Sequence, residues 1–289
     1  MAEPRAPHER HIAGPAGDLA VWDYPGQPPD TLLLHGIGGM GRMWDFFAAA
    51  VAGRLRLLAP DARGHGDSVK PPVTSDSYAP TAFVADATAI LDAYSLERVF
   101  LVGHSMGGGH AVAFTLAHPE RVRALVIIDI GPTLEPEGLE RTSRLSATRP
   151  ALFLDRTDVE RYLRETSPGY SDEIYAHRLR WLFRRTADGY VWRSDAPGLA
   201  RILNGSGGGA PAGSPERAGT WAQLATITLP TLLVRGTRST YLGEKTAKRM
   251  IQTMPDARLV ELDAGHNVQL DQPQALADAV VAFGRSAAS

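Results

Sequence analysis

The sequence predicts an α/β protein built on a mostly parallel sheet with helices on both faces. Two observations carry the prediction. Short apolar runs of strand length recur along the chain, and segments with apolar residues at helical spacing fall between them. A third observation sets the scale: the chain has 289 residues, 44% of them apolar. That suffices for one large domain, or for a domain of roughly 200 residues carrying an insertion of roughly 80 to 100.

In chain order, the first strand run is LAVWDY at 19–24, which follows Gly17-Asp18 and is expected to pair with residues near Ile12 as an N-terminal hairpin. TLLLHG (31–36), RLRLLAP (54–60), RVFLVG (98–103) and RALVIID (123–129) follow, and TLLVRG (231–236) and ARLVELD (257–263) close the series. Helices are expected over 80–94, where Phe83, Val84, Ala87, Ile90 and Leu91 share a face, over 105–117, and over 273–283 with Pro273 in the first turn. No internal repeat is visible. Between Asp129 and Thr231 the alternation breaks, with no strong strand run. Segments 138–146, 158–165 and 172–185 read there as arginine-rich amphipathic helices, and NGSGGGAPAGSPE at 204–216 reads as a mobile low-complexity loop. Strand periodicity resumes at 231, so 132–228 reads as a helical insertion between two parts of one core, 1–131 and 229–289. A plain helical bundle packed on one sheet face is the simpler alternative.

Composition excludes several classes. Lys and Arg number 30 against 32 Asp and Glu, a formal net charge of −2. Binding nucleic acid or an anionic membrane takes a basic excess to meet phosphates, so neither partner is expected. Lys70, Lys245 and Lys248 are the only lysines, and arginine carries the rest of the positive charge. The lack of cysteine excludes a thiolate nucleophile, a zinc-finger ligand set and an iron–sulfur cluster, and leaves the redox compartment open. No run approaches the roughly 18 apolar residues of a membrane span. The opening MAEPRAPHERHIAG lacks the apolar core of a secretory signal. A cytoplasmic monomer or homodimer acting on a small molecule is the expectation.

The chemistry sits in RVFLVGHSMGGGHAVAFTLA at 98–117. An apolar strand leads into Gly103-His104-Ser105-Met106-Gly107 and out into a helix, the setting of a G-x-S-x-G nucleophile elbow. A serine on a strained strand-to-helix turn projects its hydroxyl from the carboxyl edge of the sheet, and the residues two before and two after it crowd together. Gly103 and Gly107 suit that crowding, while Gly108 and Gly109 let the helix approach the sheet. The helix N-terminus offers N–H groups and the positive end of its dipole to a developing oxyanion. A Gly-rich turn carrying an ordinary solvent-facing serine is the competing reading.

Three further segments keep company with this elbow: Leu34-His35-Gly36-Ile37-Gly38-Gly39, Asp61-Ala62-Arg63-Gly64-His65-Gly66-Asp67-Ser68 and Ala264-Gly265-His266-Asn267. In this order they resemble the α/β-hydrolase fold superfamily, in its cap-bearing, esterase-like branch, across nearly the whole sheet region. The resemblance implies a mostly parallel eight-stranded sheet flanked by helices, with an inserted helical cap. It implies that the amides of Ile37 and Met106 form an oxyanion hole, and that His35, His65 and His104 brace loops. His266 follows the last strand and so returns to the edge that carries Ser105. A serine hydroxyl needs an adjacent base to take its proton, and His266 fits that role.

The acid departs from the usual pattern. Most members carry Asp a few residues after the strand that is here 231–236, but this chain reads Arg235-Gly236-Thr237-Arg238-Ser239-Thr240. Neither Ser239 nor Thr240 holds an imidazolium as a carboxylate does. The superfamily's second solution places the acid at the end of the preceding sheet strand, here Asp129 in Val126-Ile127-Ile128-Asp129-Ile130-Gly131-Pro132. An Asp near Gly-Pro also braces a turn. The orienting role is favoured because His266 otherwise lacks a carboxylate. Asp263 lies too close in the chain to His266, and Glu244 is an outside candidate.

Met40, Trp44, Phe153, Trp181 and Trp192 are candidate walls of an apolar substrate pocket, with ordinary core as the equal alternative. The resulting expectation is a serine hydrolase, without cofactor or metal, cleaving a carboxylic ester or lactone of a small, largely apolar substrate. Serine at the elbow disfavours dehalogenase and epoxide hydrolase chemistry, whose relatives use aspartate there; amide or carbon–carbon bond hydrolysis uses the same machinery. Two other classes stay open. A cofactor-free dioxygenase of this fold uses a His–Asp pair, although those relatives usually carry histidine where this chain has Met106. A non-catalytic ligand receptor on the same fold would escape serine-reactive probes.

Overall fold

The computed structural model describes residues 6–74, 76–203 and 219–287. Its strands are β1 (His8–Gly14), β2 (Gly17–Tyr24), β3 (Asp30–Leu34), β4 (Arg56–Pro60), β5 (Val99–His104), β6 (Val122–Ile128), β7 (Phe183–Thr186), β8 (Gly189–Trp192), β9 (Thr231–Gly236) and β10 (Ala257–Leu262). Eight of them form one sheet in the order β1-β2-β4-β3-β5-β6-β9-β10, antiparallel at β1–β2 and β2–β4 and parallel beyond. The N-terminal hairpin sets Ile12 opposite Leu19. From β3 the chain steps outward to β4, then returns to the other side at β5. The loops after β3 and β5 therefore diverge, which opens a crevice at the carboxyl ends of the strands.

The helices are α1 (Asp45–Val51), α2 (Pro80–Ala93), α3 (Met106–Ala117), α4 (Pro136–Ala147), α5 (Arg156–Thr166), α6 (Asp172–Leu182), α7 (Ala196–Leu203), α8 (Trp221–Leu224), α9 (Glu244–Thr253), α10 (Val268–Asp271) and α11 (Pro273–Ser286). Proline opens α2, α4 and α11, where its missing N–H costs no helical bond. Side chains alternate between sheet faces along the buried strands. Phe100, Val102, Val126, Ile128, Leu232 and Val234 pack on one face with α1 and α11; Leu101, Leu125, Ile127 and Leu233 pack on the other with α2, α3 and α9. Among the described residues no helix is long and apolar enough to cross a membrane.

β6 and β9 are neighbours in the sheet, yet α4 to α8 and the β7–β8 pair lie between them in the chain. The insertion differs from the helical expectation in one respect. The helix expected over 172–185 stops at Leu182, and Phe183–Thr186 pairs antiparallel with Gly189–Trp192. Ala187-Asp188 makes the turn, and Gly189 opens β8 at φ +139°, a conformation L side chains rarely adopt. The insertion is thus mixed, not all-helical. The loop expected at 204–216 lies outside the described residues.

Candidate active site

Ser105 follows β5 directly, and its backbone at φ 51°, ψ −119° is strained for a non-glycine residue. Its carbonyl accepts the N–H groups of Gly108 and Gly109 at 2.8 and 3.1 Å, which starts α3. Steric room explains the flanking glycines. A Cβ at Gly103 would lie 2.3 Å from the Gly107 carbonyl oxygen, and one at Gly107 would lie 2.2 Å from that of Leu34. At Gly108 it would meet Ile130 Cγ2 at 2.5 Å, so this residue sets the close approach of the helix. Gly109 instead lines the cleft.

His266 sits between β10 and α10, where His104 Nε2 donates to its carbonyl at 2.8 Å. Its Nε2 lies 2.9 Å from Ser105 Oγ, and its Nδ1 lies 2.7 Å from Asp129 Oδ2. Tyr241 stacks on the imidazole, with centroids 3.9 Å apart and planes 21° from parallel. Asp129 is fully buried at the end of β6, at φ 52° in the left-handed region that Asp tolerates better than most residues. Its N–H extends the ladder to Val234 O at 2.8 Å. Oδ1 accepts the Gly236 amide at 3.0 Å, and Oδ2 accepts the Ser239 hydroxyl in addition to facing His266. The segment after β9 therefore supplies donors to the carboxylate. Asp263 pairs with Arg238 and Glu244 with Lys248, so neither meets His266.

Ile37 and Met106 line the cleft beside Ser105. Neither amide donates a hydrogen bond to another described residue. Three buried histidines hold the surrounding loops. His35 Nε2 accepts the Ala62 amide at 3.0 Å, which leaves Nδ1 to donate to Gly36 O at 2.8 Å. His65 Nε2 accepts the Gly38 amide at 3.0 Å and its Nδ1 donates to Arg63 O at 3.0 Å. Burial pushes His35 down to about 4 and holds His65 and His104 well below the usual imidazole range, so all three stay neutral and act as braces. Buried Asp61 ties the 61–68 segment to this loop by accepting the Gly41 and Asp67 amides at 2.7 and 2.8 Å.

A cleft of about 1960 Å³ runs from Ser105, His266, Ile37 and Met106 to the insertion. It exceeds the roughly 300 to 1,000 Å³ of ordinary small-molecule sites. Of the five expected walls only Trp192 lines it. Met40 and Trp44 are core residues, 0% and 1% exposed, in the cluster on the α1 and α11 face of the sheet. Phe153 is buried against Tyr162, Phe183 and Trp192 inside the insertion. Trp181 turns away to Trp22, with Arg42 over its ring. Apolar type alone does not separate a cleft wall from a core layer when a helix is covered on more than one side. Ser239, Tyr241 and the lining residues Tyr162, Tyr170, Arg149 and Arg178 were not signalled by any motif; Ser239 stood out only as the residue where an acid was missing.

A serine at a strand–helix elbow, on a mostly parallel eight-stranded sheet with a histidine returning to the same edge, defines an α/β hydrolase. The chain matches the α/β hydrolase fold family over residues 32–273 and belongs to it. Among its relatives is 2-(acetamidomethylene)succinate hydrolase of Mesorhizobium japonicum, 27% identical over 259 residues that cover 89% of this chain and 88% of the relative. A solved structure of E-2-(acetamidomethylene)succinate hydrolase superposes with a TM-score of 0.84 at 25% identity, over 96% of this chain and 98% of that one. The thioesterase domain from the curacin biosynthetic pathway does so with a TM-score of 0.79 at 26% identity, over 96% and 100%. The family and its named relatives support hydrolase activity.

Proposed function

We propose that the protein is a serine hydrolase that cleaves a carboxylic ester or lactone through an acyl-enzyme, with the insertion acting as a cap over a small-molecule substrate. The observation that carries this reading is the unbroken chain Ser105 Oγ to His266 Nε2 at 2.9 Å and His266 Nδ1 to Asp129 Oδ2 at 2.7 Å. Ser105 Oγ attacks the carbonyl carbon while His266 Nε2 takes the hydroxyl proton. Asp129 orients the ring and stabilises the imidazolium. The negative charge on the former carbonyl oxygen is held by the Ile37 and Met106 amides; one such donor contributes about 10²–10³ in rate. Collapse expels the alcohol, which receives the proton from Nε2. Water then gives a proton to His266 and attacks the acyl carbon, which releases the acid and restores Ser105.

A fluorophosphonate probe, with a panel of esters and lactones assayed under argon, tests the reading. Labelling and turnover are expected in wild type and absent in Ser105→Ala. Labelling of neither protein overturns the hydrolase reading in favour of a receptor, and turnover that needs oxygen overturns it in favour of a dioxygenase. Asp129→Asn keeps the shape and the tolerance for a positive φ, and is expected to lower kcat by about 10²–10⁴. Near-normal turnover in a folded Asp129→Asn protein removes Asp129 from the scheme.

A further inference from the structure

We infer that the cleft takes a substrate bearing a free carboxylate, bound on the insertion by the guanidinium groups of Arg149 and Arg178. The inference rests on the reading of Ser105 as the reacting centre, and it names the substrate class for that site. Arg149 lies between α4 and α5 and Arg178 lies on α6, and both line the cleft that contains Ser105. Arg149 Nε and Arg178 Nη1 are shielded from solvent and have no hydrogen-bond partner among the described residues. Arg149 is held in place by other contacts: Nη2 donates to Ser194 Oγ, and the guanidinium lies 3.9 Å from the Trp192 ring centroid. Arg141 adds positive charge nearby, with its Nη2 on Thr166 O at 2.8 Å.

The contrast within the molecule is what points to a ligand. Arg42 pairs with Asp45, Arg63 with Asp86 and Arg56 with Asp23; Arg123 on β6 also has a shielded Nε without a partner among the described residues, but it does not line the cleft. Arg149 and Arg178 have tyrosines as their neighbours. Tyr162 feels both cations, and Tyr170 and Tyr175 lie within reach of Arg178. Burial lowers Arg149 to about 10 and also lowers Arg178; a guanidinium keeps its proton in proteins. Asp271 is the one carboxylate among the described lining residues, and its Oδ2 is engaged by the Gly265 amide at 2.6 Å. A buried cation without a counter-charge is costly, and an anion supplied by the ligand relieves that cost. A guanidinium carries its N–H donors in a planar fork that matches a carboxylate. Ser105 and the two arginines line one cleft of about 1960 Å³, which has room for a scissile carbonyl and a carboxylate in one ligand.

The test compares p-nitrophenyl butyrate with the mono-p-nitrophenyl ester of glutaric acid, whose acyl chain ends in a carboxylate. Wild type is expected to prefer the glutarate ester by about tenfold or more in kcat/KM, the scale of a charged hydrogen bond in a shielded site. That ratio is expected to collapse in Arg149→Met and in Arg178→Met, and to survive largely in Arg178→Lys. Methionine fills similar volume and removes an unpaired buried charge, so both variants should fold. A second measurement avoids catalysis: glutarate should raise the Tm of Ser105→Ala, and should fail to do so once Arg149→Met or Arg178→Met is added. Turnover of both esters without preference, with no effect of glutarate on Tm, overturns the carboxylate site and leaves the hydrolase reading standing. Equal losses on both esters in the arginine variants assign these residues a structural role and also overturn it. An arginine-dependent Tm shift in a protein that cleaves neither ester and is not labelled by fluorophosphonate sustains the anion site and overturns the hydrolase reading.

Discussion

At Asp129 Oδ2 two groups converge, the Ser239 hydroxyl and His266 Nδ1. Ser239 occupies the place where an acid is usual in this family, and it has become a donor to the acid on the neighbouring strand. Its Oγ also accepts the Tyr241 amide at 3.1 Å, which sets the backbone that carries the ring stacked on His266. Ser239→Ala removes the donor and the acceptor together. With the donor gone the carboxylate is less firmly placed and the stacked ring loses its fixed pose, so kcat is expected to fall by about three- to tenfold with KM little changed. A kcat equal to that of wild type would remove Ser239 from this positioning role. Sequence alone made Ser105 and His266 legible through their motifs, and Asp129 by the lack of another acid. The hydroxyl–carboxylate contact joins residues 110 apart and has no local signal.

The central strands β3, β4, β5, β6 and β9 were legible to within a residue or two because they are buried on both faces and read as continuous apolar runs between turns. The insertion was less so. Phe183-Arg184-Arg185-Thr186 looks like the end of an arginine-rich helix, and only the Asp188-Gly189 pair ahead of Tyr190-Val191-Trp192 marks a hairpin. That turn is tightly built. A Cβ on Gly189 would stand 2.1 Å from Phe153 O, at the bridge where Phe153 and Tyr190 exchange hydrogen bonds of 2.9 and 2.8 Å. Gly189→Ala should therefore loosen β7 and β8 and the aromatic cluster of Phe153, Phe183 and Trp192, while the elbow on the far side of the cleft is untouched. Limited proteolysis is expected to cut the variant within 183–192 before any other region, and ester KM should rise while fluorophosphonate labelling of Ser105 persists. Loss of labelling together with the sheet's circular dichroism would show instead that the hairpin supports the whole fold.

Over the whole molecule, a formal charge of −2 suggests a site without electrostatic preference. The average hides the arrangement, since Arg149 and Arg178 line the cleft without a carboxylate partner while Arg54, Arg121 and Arg193 pair with acids at the surface. Buried titratable groups are likewise uneven, and they set how stability depends on pH. His35, His65, His104 and His110 all have their imidazole lowered chiefly by burial, His35 to about 4 and His110 to about 3. In the unfolded chain each binds a proton near pH 6.5. Their neutral, buried form therefore contributes stability above that pH, and the contribution is lost as pH falls below it, because unfolding takes up protons. Asp61 acts the other way: burial raises its carboxyl to about 7, so between about pH 4 and 7 it keeps a proton that the unfolded chain releases. Near pH 5 unfolding should take up protons on balance, since the four histidines outnumber Asp61 and Asp86, the carboxyls that burial raises. Urea unfolding measured from pH 7 to 5 checks this through the slope of the unfolding free energy. His110 stacks on Phe83 at 3.8 Å and makes no contact with the catalytic residues, so His110→Asn should reduce the uptake by about one proton. A stability that stays flat over this range, in both proteins, would mean that the buried imidazoles are solvated and protonated in the folded state.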